Sequence, residues 1–239
     1  MLLALALFAC TTQRAPEPRK EAPVPSVTVQ GITLPAMTPP AQFLAVFLHG
    51  IGDNAIGFAS IARALKPALP RAELLVPDGF DPFDGGGDGR QWFSRHDLDD
   101  DNRPGRVKQA GERVSAWLDA QLDARKLAHD RVVLIGFSQG AIVSLWLATH
   151  RRPAPLAVAA LSGRYADDAS IAPGSSSPVL IVHGARDPVI PVSFATSSAK
   201  DLEARGVQVM VRIHPDLAHG VDDLALRETR DFLTPFVPK

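Results

Sequence analysis

The sequence predicts an α/β three-layer sandwich, a mostly parallel β-sheet with helices on both faces. Two observations predict it. Short apolar runs of strand length alternate with longer stretches whose apolar positions recur three and four apart, the pattern of parallel strands joined by crossover helices. The strand candidates are also almost continuously hydrophobic, as strands buried on both faces must be.

Strands are expected at residues 43–48, 73–76, 131–137, 156–161, 179–183 and 207–213. Helices are expected at 55–65, 105–127, 141–149, 192–205 and 222–232. The first strand, Phe-Leu-Ala-Val-Phe-Leu, has no polar residue; the helix after it repeats apolar positions at Phe58, Ala62 and Leu65, one face of a 3.6-residue period. Residues 105–127 carry Val107, Val114, Leu118 and Leu122 in the same way. Residues 141–149 carry apolar positions three and four apart in the same way. No internal repeat at a fixed period is present.

The first 40 residues stand apart. Residues 1–9 are uninterrupted apolar, half of the roughly 20 residues a membrane-spanning helix needs. They match the apolar core of an export signal, and Leu7-Phe8-Ala9-Cys10 resembles a bacterial lipoprotein processing site with Cys10 as the lipidated residue. Seven prolines follow between Pro16 and Pro40, which makes that stretch an extended tether. The alternation Val27-Thr28-Val29-Gln30-Gly31-Ile32 reads as a candidate edge strand. The expected division is therefore a signal-like segment at 1–10, a tether at 11–40 and a catalytic domain at 41–239. A cell-envelope location with lipid-anchored membrane attachment goes with it; the cytoplasm is expected if the segment is not a signal.

Composition narrows the function. Lys and Arg number 25 against 26 Asp and Glu, a net charge of -1, so no overall field recruits nucleic acid. One cysteine rules out an intramolecular disulfide framework and every multi-cysteine metal site. At this length on the order of 70% of the unfolded surface is buried on folding, enough for one sizeable core.

Chemistry is carried by Gly136-Phe137-Ser138-Gln139-Gly140, a G-x-S-x-G pentapeptide ending an apolar strand and opening an apolar helix. Such a turn needs glycines because its flanking backbones approach closely, and it lifts the serine hydroxyl above the sheet. A serine hydroxyl is a weak nucleophile, so a base and an orienting acid are required downstream. Asp187 follows the strand at 179–183 and His219 the strand at 207–213, each one strand–helix unit further on. All three thus fall at the carboxyl edge of the sheet. His214 competes with His219, and Asp216 and Asp222 compete with Asp187; His214 lies too close to its strand to reach across the edge. For the oxyanion, the backbone N–H groups of Ile51 and Gln139 are the expected donors, with side chains there mattering less than backbone geometry.

At these residues the sequence resembles the phospholipase/carboxylesterase family of α/β-hydrolases, which includes the acyl-protein thioesterases. The matching blocks are Leu48-His49-Gly50-Ile51-Gly52-Asp53, Gln91-Trp92-Phe93, Gly136-Phe137-Ser138-Gln139-Gly140-Ala141, Leu161-Ser162-Gly163, His183 to Pro191 and Ala218-His219-Gly220. The resemblance implies the α/β-hydrolase fold and hydrolysis of carboxylic esters or thioesters, with a small-molecule ester or lipid-like acyl substrate. It implies no cofactor and no metal, and an acyl groove beside Trp92 and Phe93. Ser94 departs from the aspartate usual in acyl-protein thioesterases, which bears on the substrate.

Two other readings compete. Gly50-Ile51-Gly52-Asp53-Asn54-Ala55 fits G-x-G-x-x-A, with Asp78 about 20 residues on, the fingerprint of a dinucleotide-dependent oxidoreductase. It leaves the ordered Ser138, Asp187, His219 series without a role. A non-catalytic hydrolase-fold binding protein is the second, although no triad member is missing. Asp97, Asp99 and Asp101 suggest a calcium loop, but Asn102 and Lys108 stand where glycine and glutamate are required; residues 84–89 and 97–102 are expected to be solvated, mobile loops.

Overall fold

The computed structural model describes residues 29–167 and 176–238. The signal-like segment with Cys10 and the tether up to residue 28 lie outside the described residues. In chain order the elements are β1 (Gly31–Leu34), β2 (Phe43–Leu48), α1 (Ala55–Leu65), β3 (Ala72–Pro77), β4 (Asp81–Pro82), β5 (Arg90–Gln91), α2 (Arg103–Ala124), β6 (Val132–Phe137), α3 (Gln139–His150), β7 (Ala157–Leu161), β8 (Val179–Gly184), α4 (Ser193–Ala204), β9 (Val209–His214) and α5 (Asp223–Leu233).

Seven strands form one sheet in the order β1-β3-β2-β6-β7-β8-β9. Every neighbouring pair is parallel except β1 with β3. The order reverses direction around β2 and β6, so the carboxyl ends of these central strands open on a crevice that no crossover covers. β1 takes residues 31–34 into the sheet, although the expected boundary at residue 40 assigned them to the tether. It can pair only at the edge, because its register of Gly31 with Pro77 and Leu34 with Leu74 runs along the outer side of β3.

Alternation along the strands divides the core in two. On β2, Leu44, Val46 and Leu48 face α2, α3 and α4, while Phe43, Ala45 and Phe47 face α1 and α5. The same period of two assigns Leu134 to the first layer and Val133 and Ile135 to the second. α3 is buried along its length from Gln139 to Thr149, held between the sheet and α2. Gly111 lets α2 approach, since a Cβ there would strike the Trp146 ring. Arg151, just after α3, has a fully buried side chain whose terminal nitrogens reach Asp119 at 2.6 Å and the Ser115 hydroxyl at 2.9 Å.

β9 departs from the expectation of burial on both faces. It is an edge strand with Met210, Arg212 and Ile213 exposed, so its apolar run reflects pairing with β8 rather than enclosure. No described helix is long and apolar enough to cross a membrane.

Leu134 is fully buried on a central strand, and Leu134→Ala is expected to lower the unfolding free energy by about 2–5 kcal/mol. Urea denaturation measures this, and a loss below about 1 kcal/mol would show that the layer between β6 and α3 collapses around the vacancy.

Candidate active site

The β6–α3 turn is under the tightest backbone constraint. Ser138 adopts φ 51° and ψ −115°, a region ordinary residues avoid. Its amide donates to the Leu161 carbonyl at 2.9 Å, which pins the turn to the end of β7. The flanking glycines are sterically required. A Cβ on Gly136 would meet the Gly140 carbonyl oxygen, and one on Gly140 would meet the Leu48 carbonyl oxygen at the end of β2. The hydroxyl is therefore held above the sheet at the start of a helix.

Two loops from the same edge complete the arrangement. The Ser138 hydroxyl lies 2.9 Å from His219 Nε2, and His219 Nδ1 lies 2.7 Å from Asp187 Oδ2. Asp187 Oδ1 accepts the amides of Val189 at 2.8 Å and Ile190 at 2.9 Å. Burial raises the Asp187 pKa, but the hydrogen bonds from His219 and from the Ile190 and Val189 amides outweigh it and leave the carboxyl below its ordinary value. An ionised carboxylate only accepts, so the proton of a neutral imidazole sits on Nδ1 and Nε2 is left to accept from Ser138. The His219 loop is tied to the Asp187 loop by Ala185 N–H to the His214 carbonyl at 2.8 Å and Arg186 N–H to Leu217 at 3.0 Å. Gly184 permits this contact, since a Cβ would strike the Leu217 and Ala218 carbonyls.

The competing residues have other partners. His214 bonds Glu228 at 2.8 Å beneath α5, Asp222 caps α5 through the Ala225 amide, and Asp216 pairs with Arg186 at the surface. His183 adds a feature that sequence reasoning missed. Its Nε2 lies 2.8 Å from the Ile190 carbonyl and 3.2 Å from Asp187 Oδ2. Both neighbours are acceptors, so Nε2 carries the proton; its hydrogen bond goes to the Ile190 carbonyl, which ties the Asp187 loop to the end of β8, and the carboxylate lies close beside it. The only signal was the four-residue spacing of His183 and Asp187 beyond one strand.

The expected amide donors border the same space. Gln139 is the first residue of α3, so its N–H has no partner within the helix, and Ile51 sits in the turn after β2. Both line a cleft of about 370 Å³ with Ser138, His219, Phe93 and Phe137. Phe137 packs against the His219 ring with centroids 4.9 Å apart.

Trp92 does not line the cleft, which corrects the expected groove pairing of Trp92 with Phe93. Its side chain is buried because the indole N–H donates to the His49 carbonyl at 2.9 Å and the ring packs on His49 and Phe80. Phe93 alone reaches the cleft. The expectation that the Gln139 side chain matters little is also corrected: its Oε1 accepts from Trp92 N–H at 2.8 Å and its Nε2 donates to the Phe93 carbonyl at 2.7 Å. These buried bonds fix the segment that forms the cleft wall. Beyond it, Ser94 and Gln91 donate to Asp84 at 2.6 and 2.7 Å, and Arg106 binds the Ser94 and His96 carbonyls. Asp84, in the first of the loops expected to be mobile, is thus tied to β5 and the segment after it. Asp84 sits below its ordinary pKa because Ser94 and Gln91 hydrogen-bond its charged form.

The dinucleotide fingerprint is spent on structure. Asp78 accepts the Ala55 amide at 2.7 Å and Asn54 accepts those of Ile56 and Gly57 at 3.0 Å, so protein oxygens occupy the helix N-terminus where a pyrophosphate would bind. His49 Nε2 accepts the Gly79 amide at 2.9 Å, and burial pushes its pKa down, which keeps it neutral. Of the suggested calcium ligands, Asp99 accepts from the Asn102 amide at 2.8 Å and the Asp97 carbonyl accepts from the Asn102 side chain at 2.8 Å.

The sequence model of the phospholipase/carboxylesterase family matches residues 34–236. Esterase YpfH of Escherichia coli (strain K12) is 32% identical, with 84% of this chain and 85% of that protein aligned. Acyl-protein thioesterase 1 of Mycosarcoma maydis is 29% identical over 80% of this chain and 90% of that protein. Among solved structures, esterase PE8 superposes with a TM-score of 0.79 at 24% identity, covering 88% of this chain and 100% of that one, a likeness of fold.

Gln139→Ala removes both buried bonds to residues 92 and 93 and leaves their groups unpaired. It is expected to cost on the order of 2 kcal/mol of stability, seen as a lower urea midpoint. An unchanged midpoint would mean that water replaces the amide without loss.

Proposed function

The chain belongs to the phospholipase/carboxylesterase family, and from that premise we propose that it is a serine hydrolase cleaving carboxylic esters, and thioesters by the same route, through an acyl-enzyme on Ser138. The observation that carries this reading is the unbroken chain from the Ser138 hydroxyl through His219 to Asp187, at 2.9 and 2.7 Å. His219 Nε2 takes the hydroxyl proton as Ser138 Oγ bonds to the acyl carbon. The carbon–oxygen or carbon–sulfur bond to the leaving group then breaks, and His219 passes that proton to the departing alcohol or thiol. Water repeats the sequence: His219 takes its proton, hydroxide adds to the acyl carbon, and the proton returns to Ser138 as the acid leaves. Asp187 holds the Nδ1 proton and stabilises the imidazolium that forms.

The oxyanion is assigned to the amides of Ile51 and Gln139, which need no side-chain rearrangement to act and reside on rigid elements. His183 and the amides of Val189 and Ile190 position Asp187. Phe93 forms part of the acyl wall, and Trp92 supports it from behind.

A fluorophosphonate probe is expected to label wild type and not Ser138→Ala, and Asp187→Asn is expected to lose on the order of 10⁴ in kcat through the wrong imidazole tautomer. Folded wild type that resists labelling would favour a non-catalytic binding protein, and near-normal turnover in Asp187→Asn would move the acid role elsewhere.

We also propose that Cys10 is lipidated and anchors the domain at the cell envelope through the proline-rich tether. The support is the apolar run before Cys10 and the proline content after it. Incorporation of labelled palmitate is expected in wild type and should vanish in Cys10→Ala; equal incorporation in both would sink the assignment.

A further inference from the structure

The cleft beside Ser138 has an unusual charge. Arg95, Arg103 and Arg164 line it, against one lining carboxylate, Asp53, which is engaged with the Asn54 amide at 2.8 Å. Two of the arginines are largely out of water: the side chains of Arg103 and Arg164 are 19% and 18% exposed. Their shared counter-ion is Asp100, whose side chain is 78% exposed and which reaches them only at 3.5 and 3.4 Å. Charge-assisted hydrogen bonds settle at about 2.7–2.9 Å, so these contacts are long for their type. One solvated carboxylate thus serves two desolvated guanidinium groups, while Arg164 Nε is buried without a partner.

Arg164 is also held in a fixed attitude close to the nucleophile. It lies three residues beyond Leu161, whose carbonyl receives the Ser138 amide. Its guanidinium stacks over the Phe194 ring at 3.9 Å from the centroid, which orients the planar fork and shields one side. Burial, and then the charge of Arg103, depress its pKa; an anion beside the guanidinium would offset both by its opposite charge. The remainder of the cleft includes Phe93, Leu98, Ile142 and Ile190, an apolar surface suited to a carbon chain.

We propose that the cleft selects esters carrying a second, anionic oxygen group, a carboxylate or a phosphate, which Arg164 and Arg103 grip as a forked pair while the ester carbonyl lies at Ser138. This rests on the ester-hydrolase reading above. Asp100 is the displaceable counter-ion, and the exposed Arg95 adds attraction at the rim. The anionic group sits on the acyl half or on the alcohol half, and the two sources need separate substrates.

The test measures kcat/KM on matched pairs. For the acyl half the pair is mono-p-nitrophenyl glutarate against p-nitrophenyl pentanoate; for the alcohol half it is 1-butanoylglycerol 3-phosphate against 1-butanoylglycerol. Wild type is expected to favour the anionic member by about tenfold or more in one pair, which identifies the half that carries the charge. In Arg164→Gln that ratio is expected to fall toward one, chiefly through KM, whereas Arg164→Lys restores only part because an ammonium lacks the fork. Arg63→Gln, the same change of charge on the exposed side of α1, is expected to keep the wild-type ratio. Circular dichroism and fluorophosphonate labelling establish that each variant is folded with its nucleophile in place. Ratios near or below one in both pairs, or a ratio that survives Arg164→Gln, overturn the proposal while leaving ester hydrolysis standing. Wild type that is neither labelled nor active on any of the four esters overturns the ester-hydrolase reading, and this one with it.

Discussion

The close approach of three backbones at Ser138 is the constraint on which the rest of the molecule depends. β2, β6 and α3 meet where Gly136 and Gly140 leave no room for a Cβ, and Ser138 takes a positive φ that a folded surrounding must hold in place. Strain of this kind costs on the order of 1–3 kcal/mol and persists only when neighbouring structure over-determines it. Here the neighbours are the buried central strand β6 and a helix buried along nearly its whole length. The large two-layered core is thus the physical condition for displaying one hydroxyl in an unfavourable backbone conformation.

The residues that meet this hydroxyl come from separate loops, and their precision also comes from backbone contacts. Asp187 is gripped by two amides of its own loop and faced by the His183 N–H. The His219 loop leans on Gly184 and is bonded to the carbonyls and amides around it. On the opposite side, the Gln139 side chain reaches back to hold residues 92 and 93. One residue therefore offers its amide to the cleft and its side chain to the wall, coupling the turn to the acyl surface.

Electrostatics separates this site from the alternatives that share its motifs. The glycine turn after β2 has the spacing of a nucleotide-binding loop, yet Asp78 and Asn54 already fill the amides at the start of α1. The positive end of that helix is spent on protein oxygens. Positive charge that one solvated carboxylate, Asp100, meets only at long range lies instead on Arg103 and Arg164, within the cleft and beside an apolar wall. The proposed catalytic groups and the proposed anion grip are thus different residues of one cavity, so one can vary while the other is kept.

Much of the fold was legible in the sequence because burial on both faces leaves a direct imprint: β2 and α1 run over the residues their apolar patterns indicated, and the other main strands and helices shift at their ends by a few residues. The edges were less legible: the alternation at 27–32 pointed to an edge strand but β1 lies at 31–34, and β9 is exposed despite its apolar run. Within the site, the order of Ser138, Asp187 and His219 beyond strand ends could be read because the chain must return to the same sheet edge after each crossover. The burial of Trp92, the bond from His183 to the Asp187 loop, the use of the Gln139 side chain and the convergence of Arg95, Arg103 and Arg164 could not. Each depends on residues distant in the chain coming within hydrogen-bonding or Coulomb range. By itself the sequence determined the repeating strand and helix order and the chemistry at the strand ends, through local periodicity and turn sterics. Tertiary structure alone decided which side chains face the cleft and which charges stand nearly unpaired there, because those depend on how separate loops pack over one edge.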